Sequence, residues 1–358
     1  NGDVKIKVDN NKAGKFGMKI RIPGWVKGQP VPSSLYSYTD ASRPSYKITV
    51  NGRSVPASLT EDGYYTIERN WKKGDVVNVH FDMDVRTVRA DNKVEADRGM
   101  VSIERGPLVY CAEWRDNAFD IMSVLLNREP KFSEGELPYS SFIADSLKTK
   151  LQLYRDQNIT TLATDAQTLA YDNSGKLTTQ NVKLELIPYF AWCHRGSGNM
   201  KVWLPQDVKA TRPSAPATLA SQAKIVSSTP SSSMRSIADG LVPADENDRS
   251  VPYFHWWPKQ NTTEWITYTF PEAKQIQSTT VYWFDDQPWG GCKIPDSCTI
   301  QYKDANGNWQ NVENVDSYPI KKGTACTANF KPVKTSEVKI SVKQPAKYSC
   351  GLFEWSVK

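Results

Sequence analysis

The sequence predicts an all-β protein of two consecutive β-sandwich domains followed by a third, jelly-roll sandwich. Three observations carry this. Apolar residues recur at every second position through short runs, turn dipeptides separate the runs, and 358 residues exceed what one hydrophobic core normally fills.

The first domain is expected over residues 1–98. Its runs are VKIKV (4–8), GMKIRI (17–22), YKITV (46–50), YYTIE (64–68) and VVNVHFDMDV (76–85), separated by Asn51-Gly52, Asp62-Gly63 and Gly74-Asp75. The second, over 99–205, opens on MVSIERGPLVYCAEW (100–114) and resumes at 183–204. No element is assigned to the weakly periodic stretch 145–156. Proline- and alanine-rich residues 206–221 read as a linker. The third domain, 222–358, is rich in tryptophan and carries the strand runs WITYTF, STTVYWF, CTIQYK and SEVKISV.

Composition narrows the class. Hydrophobic residues at 39 % and charged residues at 23 % are ordinary for a globular chain, which excludes disordered, collagenous and coiled-coil classes. The longest apolar pieces, such as 184–192, are strand-length and too short to span a bilayer. A net charge of +6 is spread among acids without a basic stripe, so nucleic acid is not an expected partner. The chain opens on Asn1 without Met, which reads as a processed or excised piece.

Residue constellations give no catalytic assignment. Asp285 and Asp286 form the best carboxylate pair, but neighbours on an extended segment point to opposite faces. Cys111, in PLVYCA, and Cys193, in AWCH, read as packing cysteines, and His194 as a turn residue. No CxxC occurs, and His80, His194 and His255 are scattered, so zinc spacings are absent. Cys326 and Cys350 lie in glycine-flanked turns and are expected to form a disulfide, with Cys292 as alternative partner; a bridge would imply an oxidising compartment.

The strings KIRIPGW (19–25), GYYTIERNWKKGDVV (63–77), RGPLVYCAE (105–113) and IPYFAWCHRGSGNMKVWLP (187–205) resemble the C-terminal sandwich region of glycoside hydrolase family 127, the β-L-arabinofuranosidases. In that family a cysteine and glutamate centre with zinc sits in an (α/α)-barrel preceding the sandwiches. The resemblance therefore implies that this chain by itself is not an enzyme and that no catalytic residue carries over. Residues from about 222 onward, through IADG (237–240), FHWWP, VYWFDDQPWGGCKIP and GLFEWSV, resemble a discoidin-like (F5/8 type C) domain, a relative of carbohydrate-binding module family 32.

Sugar binding uses flat rings against C–H faces and polar groups on hydroxyls. Alternation assigns Trp265, Tyr268, Phe270, Trp283 and Trp355 to packing. That leaves His255, Trp257, Trp289 and Tyr348 as loop rings, with Asp286 and Lys293 as hydroxyl partners; the alternative is a domain that only props its neighbours. Family 32 modules commonly hold a structural Ca²⁺, and Asp239 and Glu354 match its ligand places; Asp248 and Glu246 are alternatives, as is a metal-free cap.

The expected function is the non-catalytic portion of an exported, periplasmic or secreted, bacterial glycoside hydrolase acting on arabinose-containing plant cell-wall glycans. The rivals are a free-standing carbohydrate-binding or adhesion protein and a chain that is itself a hydrolase.

Overall fold

Along Val76–Phe81 the side chains of Val77, Val79 and Phe81 are buried and those of Asn78 and His80 are exposed, so a period-two sequence becomes a strand with one covered face. A computed structural model describes residues 1–55, 59–143, 157–195, 198–229, 231, 233–318 and 320–358. The stretch 145–156 lies outside them. Among the described residues there is no α-helix; short 3₁₀ turns connect antiparallel strands that form β-sandwich domains.

The chain divides into two compact units. The first comprises Asn1–Leu169, Thr179–Arg195 and Asn199–Arg212, and the second is principally Pro213–Lys358. Among the described residues the first unit holds two main cores and a smaller cluster of Cys111, Phe142, Ile159, Ile187 and Ala191. In one, a sheet ordered Asp3–Lys7, Val76–Phe81, Tyr46–Val50, Arg53–Ser54 and the pair Lys15–Arg21 with Tyr64–Asn70 enclose Ile22, Val50, Trp71, Val77 and Val79. The hairpin Tyr46–Ser54 turns on Asn51 and Gly52 with φ of 49° and 78°, the left-handed pair such a two-residue turn requires.

The run 76–85, expected as one strand, is two. It breaks at Asp82, whose N–H donates to the Ser45 carbonyl at 2.9 Å, and Val85–Ala90 then joins the second sheet. That sheet runs Val124–Leu126, Asn158–Tyr171, Leu177–Pro188, Leu108–Glu113, Met100–Arg105, Val85–Ala90, Tyr36–Tyr38, over a core of Ile103, Tyr110, Leu162, Leu184 and Leu186.

In the second unit the sheet order is Phe254–His255, Gly351–Val357, Thr263–Phe284, Ala325–Lys343, Ser297–Lys303, Trp309–Asn311. Thr263–Phe284 runs 22 residues and shifts register between Thr269 and Lys274 and between Ile276 and Ser278. Such shifts bend a strand, which lets one strand serve more than one part of a sandwich. The core holds Phe254, Trp256, Tyr268, Trp283 and Trp355. Tyr268 stacks on Trp355 at 4.1 Å and its hydroxyl donates to the Trp355 carbonyl at 2.7 Å. Trp265, expected in this core, is 36 % exposed, because its neighbours Glu264 and Ile266 take the buried parity of the strand.

Candidate functional site

Three loops of the second unit are laced together at one end of its sheet. Lys293 N–H donates to the Ser349 carbonyl at 2.8 Å, Ser349 N–H to the Gly291 carbonyl at 3.0 Å, and Gln260 Nε2 to the Lys347 carbonyl at 3.0 Å. The loop 286–292 also closes on itself. The Asp286 carbonyl accepts from Trp289 and Gly290 N–H at 3.0 and 2.9 Å, and its Oδ1 accepts from Cys292 N–H at 2.8 Å. Gln287 Nε2 donates to the Gly290 carbonyl at 2.6 Å. Trp289 stands on this closed loop 88 % exposed. Asp286, expected to meet hydroxyls, is buried and turned into the loop, so its carboxylate shapes the turn; a side chain at Gly290 would collide with it.

The ring of Trp257, 49 % exposed, lies over Gly291, where a Cβ would run into it. Lys293 Nζ sits 5.6 Å from the centre of the Tyr348 ring. His255 pairs across the sheet with Gly351, and burial holds its imidazole below the usual range. The structure thus brings His255, Trp257, Asp286, Trp289, Lys293 and Tyr348 to one loop end. Two neighbours were missed from the sequence. Tyr253 stacks on Phe284 at 4.1 Å, and Arg249 lies over both rings with its guanidinium 3.4 Å from Asp286 Oδ2. The signal was present: within 253–257 the even residues Phe254 and Trp256 are fully buried, which turns Tyr253, His255 and Trp257 outward together.

Elsewhere in this unit Asp239 and Glu354 are also neighbours. Burial, and then the Asp239 charge, push the Glu354 carboxyl up to about 8, while Gly240 N–H donates to its Oε2 at 3.2 Å. Two hard oxygen donors whose charges repel suit a cation such as Ca²⁺, which would need backbone carbonyls to complete its shell. The alternative carboxylates have other work: Asp248 caps Ala244 and Ser250, and Glu246 pairs with Lys322 at 3.2 Å.

Family comparisons match this architecture segment by segment. Residues 1–83 match the β-L-arabinofuranosidase GH127 middle domain, residues 85–205 the glycoside hydrolase family 127 C-terminal domain, and residues 244–340 the NedA-like galactose-binding domain of F5/8 type C kind. The chain carries GH127 middle and C-terminal domains followed by an F5/8 type C galactose-binding domain. It is 32 % identical over 195 residues to the non-reducing end β-L-arabinofuranosidase of Bifidobacterium longum subsp. longum, covering 53 % of this chain and 25 % of that protein. A solved GH127 β-arabinofuranosidase is 50 % identical with a TM-score of 0.52, over 60 % of this chain and 31 % of that one. A GH127 β-L-arabinofuranosidase of Geobacillus stearothermophilus T6 is 30 % identical with a TM-score of 0.43, over 57 % and 28 %. The chain therefore spans about a quarter to a third of these relatives, and the family's catalytic barrel is not among the matched segments.

In the GH127 domains the two cysteines differ: Cys111 is buried and Cys193 is exposed. Burial pushes the Cys111 thiol up to about 12, far from a nucleophile's range. Cys193, expected to pack in a strand, lies instead on an exposed turn with φ of 71°, because the strand ends at Pro188 and the chain turns through Tyr189–Ala191. Arg195 is locked between Glu113 and Asp116, with Nη1 to Asp116 Oδ1 at 2.7 Å. A cavity of about 360 Å³ lies beside Arg105, Tyr110, Tyr139, Asn158 and Phe190.

In the galactose-binding domain the expected Cys326–Cys350 disulfide is not formed; its four cysteines, like Cys111 and Cys193, are free thiols. Cys326 pairs with Val281 on one side of Thr263–Phe284, whereas Cys350 precedes Gly351, which pairs with Phe284 on the other side. The offset along the strand alone is about 10 Å at ~3.3 Å per residue, beyond bridging range. The turns looked alike in sequence, but the sheet separates them.

Proposed function

We propose that this chain is the non-catalytic portion of an exported family 127 glycoside hydrolase acting on arabinose-containing plant glycans, and that its last domain holds that enzyme on glycan through the loop end around Trp289. On this reading hydrolysis belongs to the family's barrel, and the protein works in the periplasm or outside the cell. The supporting observation is Trp289 itself: an indole 88 % exposed on a loop whose polar groups are internally bonded. A large apolar ring is normally covered unless it has a ligand, and a loop ordered beforehand loses little entropy on binding. Holding the enzyme on polymer raises the local substrate concentration without any new catalytic contact. A Ca²⁺ at Asp239 and Glu354 belongs to the same reading, as a brace for the domain.

Titration of wild type and Trp289→Ala against arabinan, galactan and arabinogalactan tests it. The substitution is expected to weaken binding by roughly 1–3 kcal/mol, by analogy with aromatic stacking on bases, with an unchanged melting temperature. Equal binding by both proteins, or none by wild type to any glycan, overturns the reading. The chain alone is expected not to turn over an aryl β-L-arabinofuranoside. Turnover that disappears on mutating a Cys, Asp or Glu within residues 1–204 would overturn that part.

A further inference from the structure

The loop end that carries Trp289 is basic as well as aromatic. Arg249, Lys259, Lys293 and Lys347 are all exposed on the laced loops or beside them. Of the carboxylates on and beside these loops, Asp285 and Asp286 are held inward, while Asp245 on the Arg249 segment is exposed. Asp285 accepts from Gln287 N–H at 3.0 Å and Ile294 N–H at 3.1 Å and faces Lys322 at 3.3 Å, while Asp286 takes Cys292 N–H and Arg249. Asp296 is exposed only where the loop enters Ser297–Lys303. Arg249 is thereby offset by Asp286. Lys293 instead lies over the Tyr348 ring, whose face supports a cation without cancelling its charge.

We infer that the glycan taken at this loop end is anionic, a polymer whose sugar rings carry carboxylates, as uronic acids do. This rests on the reading of Trp289 as a sugar platform and adds its charge preference. A ring face stacks on Trp289 while the carboxylates are drawn to Lys293 and Lys347, whose laced backbones hold them beside the platform. Electrostatic complementarity of this kind selects among ligands of the same shape more than it adds affinity.

The test compares polygalacturonate with its methyl ester, which keeps the backbone and removes the charge, and with neutral galactan, using the full chain. Polygalacturonate is expected to bind the full chain ~5-fold more tightly than the ester at low salt. The gap should close in 1 M NaCl, where the screening length falls to about 3 Å from about 10 Å at 0.1 M. Lys293→Gln combined with Lys347→Gln should close it too, Lys12→Gln in the first unit should not, and Trp289→Ala should weaken acid and ester alike. Equal binding of acid and ester overturns the inference and leaves the sugar platform standing. An acid preference that survives both Trp289→Ala and the lysine pair places the charge elsewhere and also overturns it. No binding to any of the three polymers removes platform and inference together.

Discussion

The Arg86 and Arg195 clusters of the GH127 domains and the loop end of the galactose-binding domain treat charge and aromatic rings in opposite ways. In the former, Arg86 is buried over the Tyr38 ring at 3.4 Å, Tyr38 donates to Glu104 at 2.8 Å, and Arg195 is enclosed by Glu113 and Asp116. Trp25 and Trp71 are core residues there. In the latter, Arg249 lies over the half-buried Tyr253 ring and Lys293 over that of Tyr348, and Trp257 and Trp289 stand outside a core that already holds Trp256, Trp283 and Trp355. Residue type alone therefore does not mark a binding surface; what marks it is a ring or cation left outward after the core and the ion pairs are complete.

The sharpest break of that contrast is Arg195→Ala. Glu113 is 1 % exposed, so removing its partner leaves a buried charge uncompensated, and a loss of about 3–5 kcal/mol is expected in urea unfolding. A loss below about 1 kcal/mol would mean that the triad is solvated and that the contrast is false.

Gly291→Ala should act on the other side of the comparison. The added methyl displaces the Trp257 ring, so glycan binding is expected to fall by about 1–2 kcal/mol while the core is untouched. Binding equal to wild type would show that Trp257 takes no part in the platform.

Next in size is the Asp239–Glu354 pair. A carboxyl raised to about 8 in the fold stabilises the domain fully below its unfolded value of 4.5, and that contribution is lost as pH rises through about 8. Ca²⁺ binds the ionised form, so it should raise the melting temperature more at pH 8.5 than at pH 5, by ~5 °C. Glu354→Gln should stabilise the metal-free protein at pH 8.5 and abolish the Ca²⁺ effect. A Ca²⁺ response indifferent to pH and to Glu354→Gln would leave the pair as a hydrogen-bonded cap.

The smallest expected effect is that of a reductant, which should leave melting unchanged. Thiol titration of unfolded, unreduced protein should count six. A count of four would show that one bridge is present.

The sequence by itself determined the all-β class, the antiparallel alternation and the family of each segment. These follow from local information: the period of two, the left-handed turn at Asn51-Gly52, and strings of residues whose order is their identity. It also separated Trp289 from the strand aromatics, because a tryptophan between a proline and two glycines has no strand to belong to. Tertiary structure decided the rest. Only the sheet order put Cys326 and Cys350 on opposite sides of one strand, and only the parity of Thr263–Phe284 turned Trp265 outward. Arg249 and Tyr253 entered the site because distant loops fold over Phe284, and Asp286 left the sugar face because its carboxylate is needed by the Cys292 amide. Alternation tells which face a side chain takes, but which partners wait on that face is set by contacts between residues far apart in the chain, and a single sequence does not print those contacts.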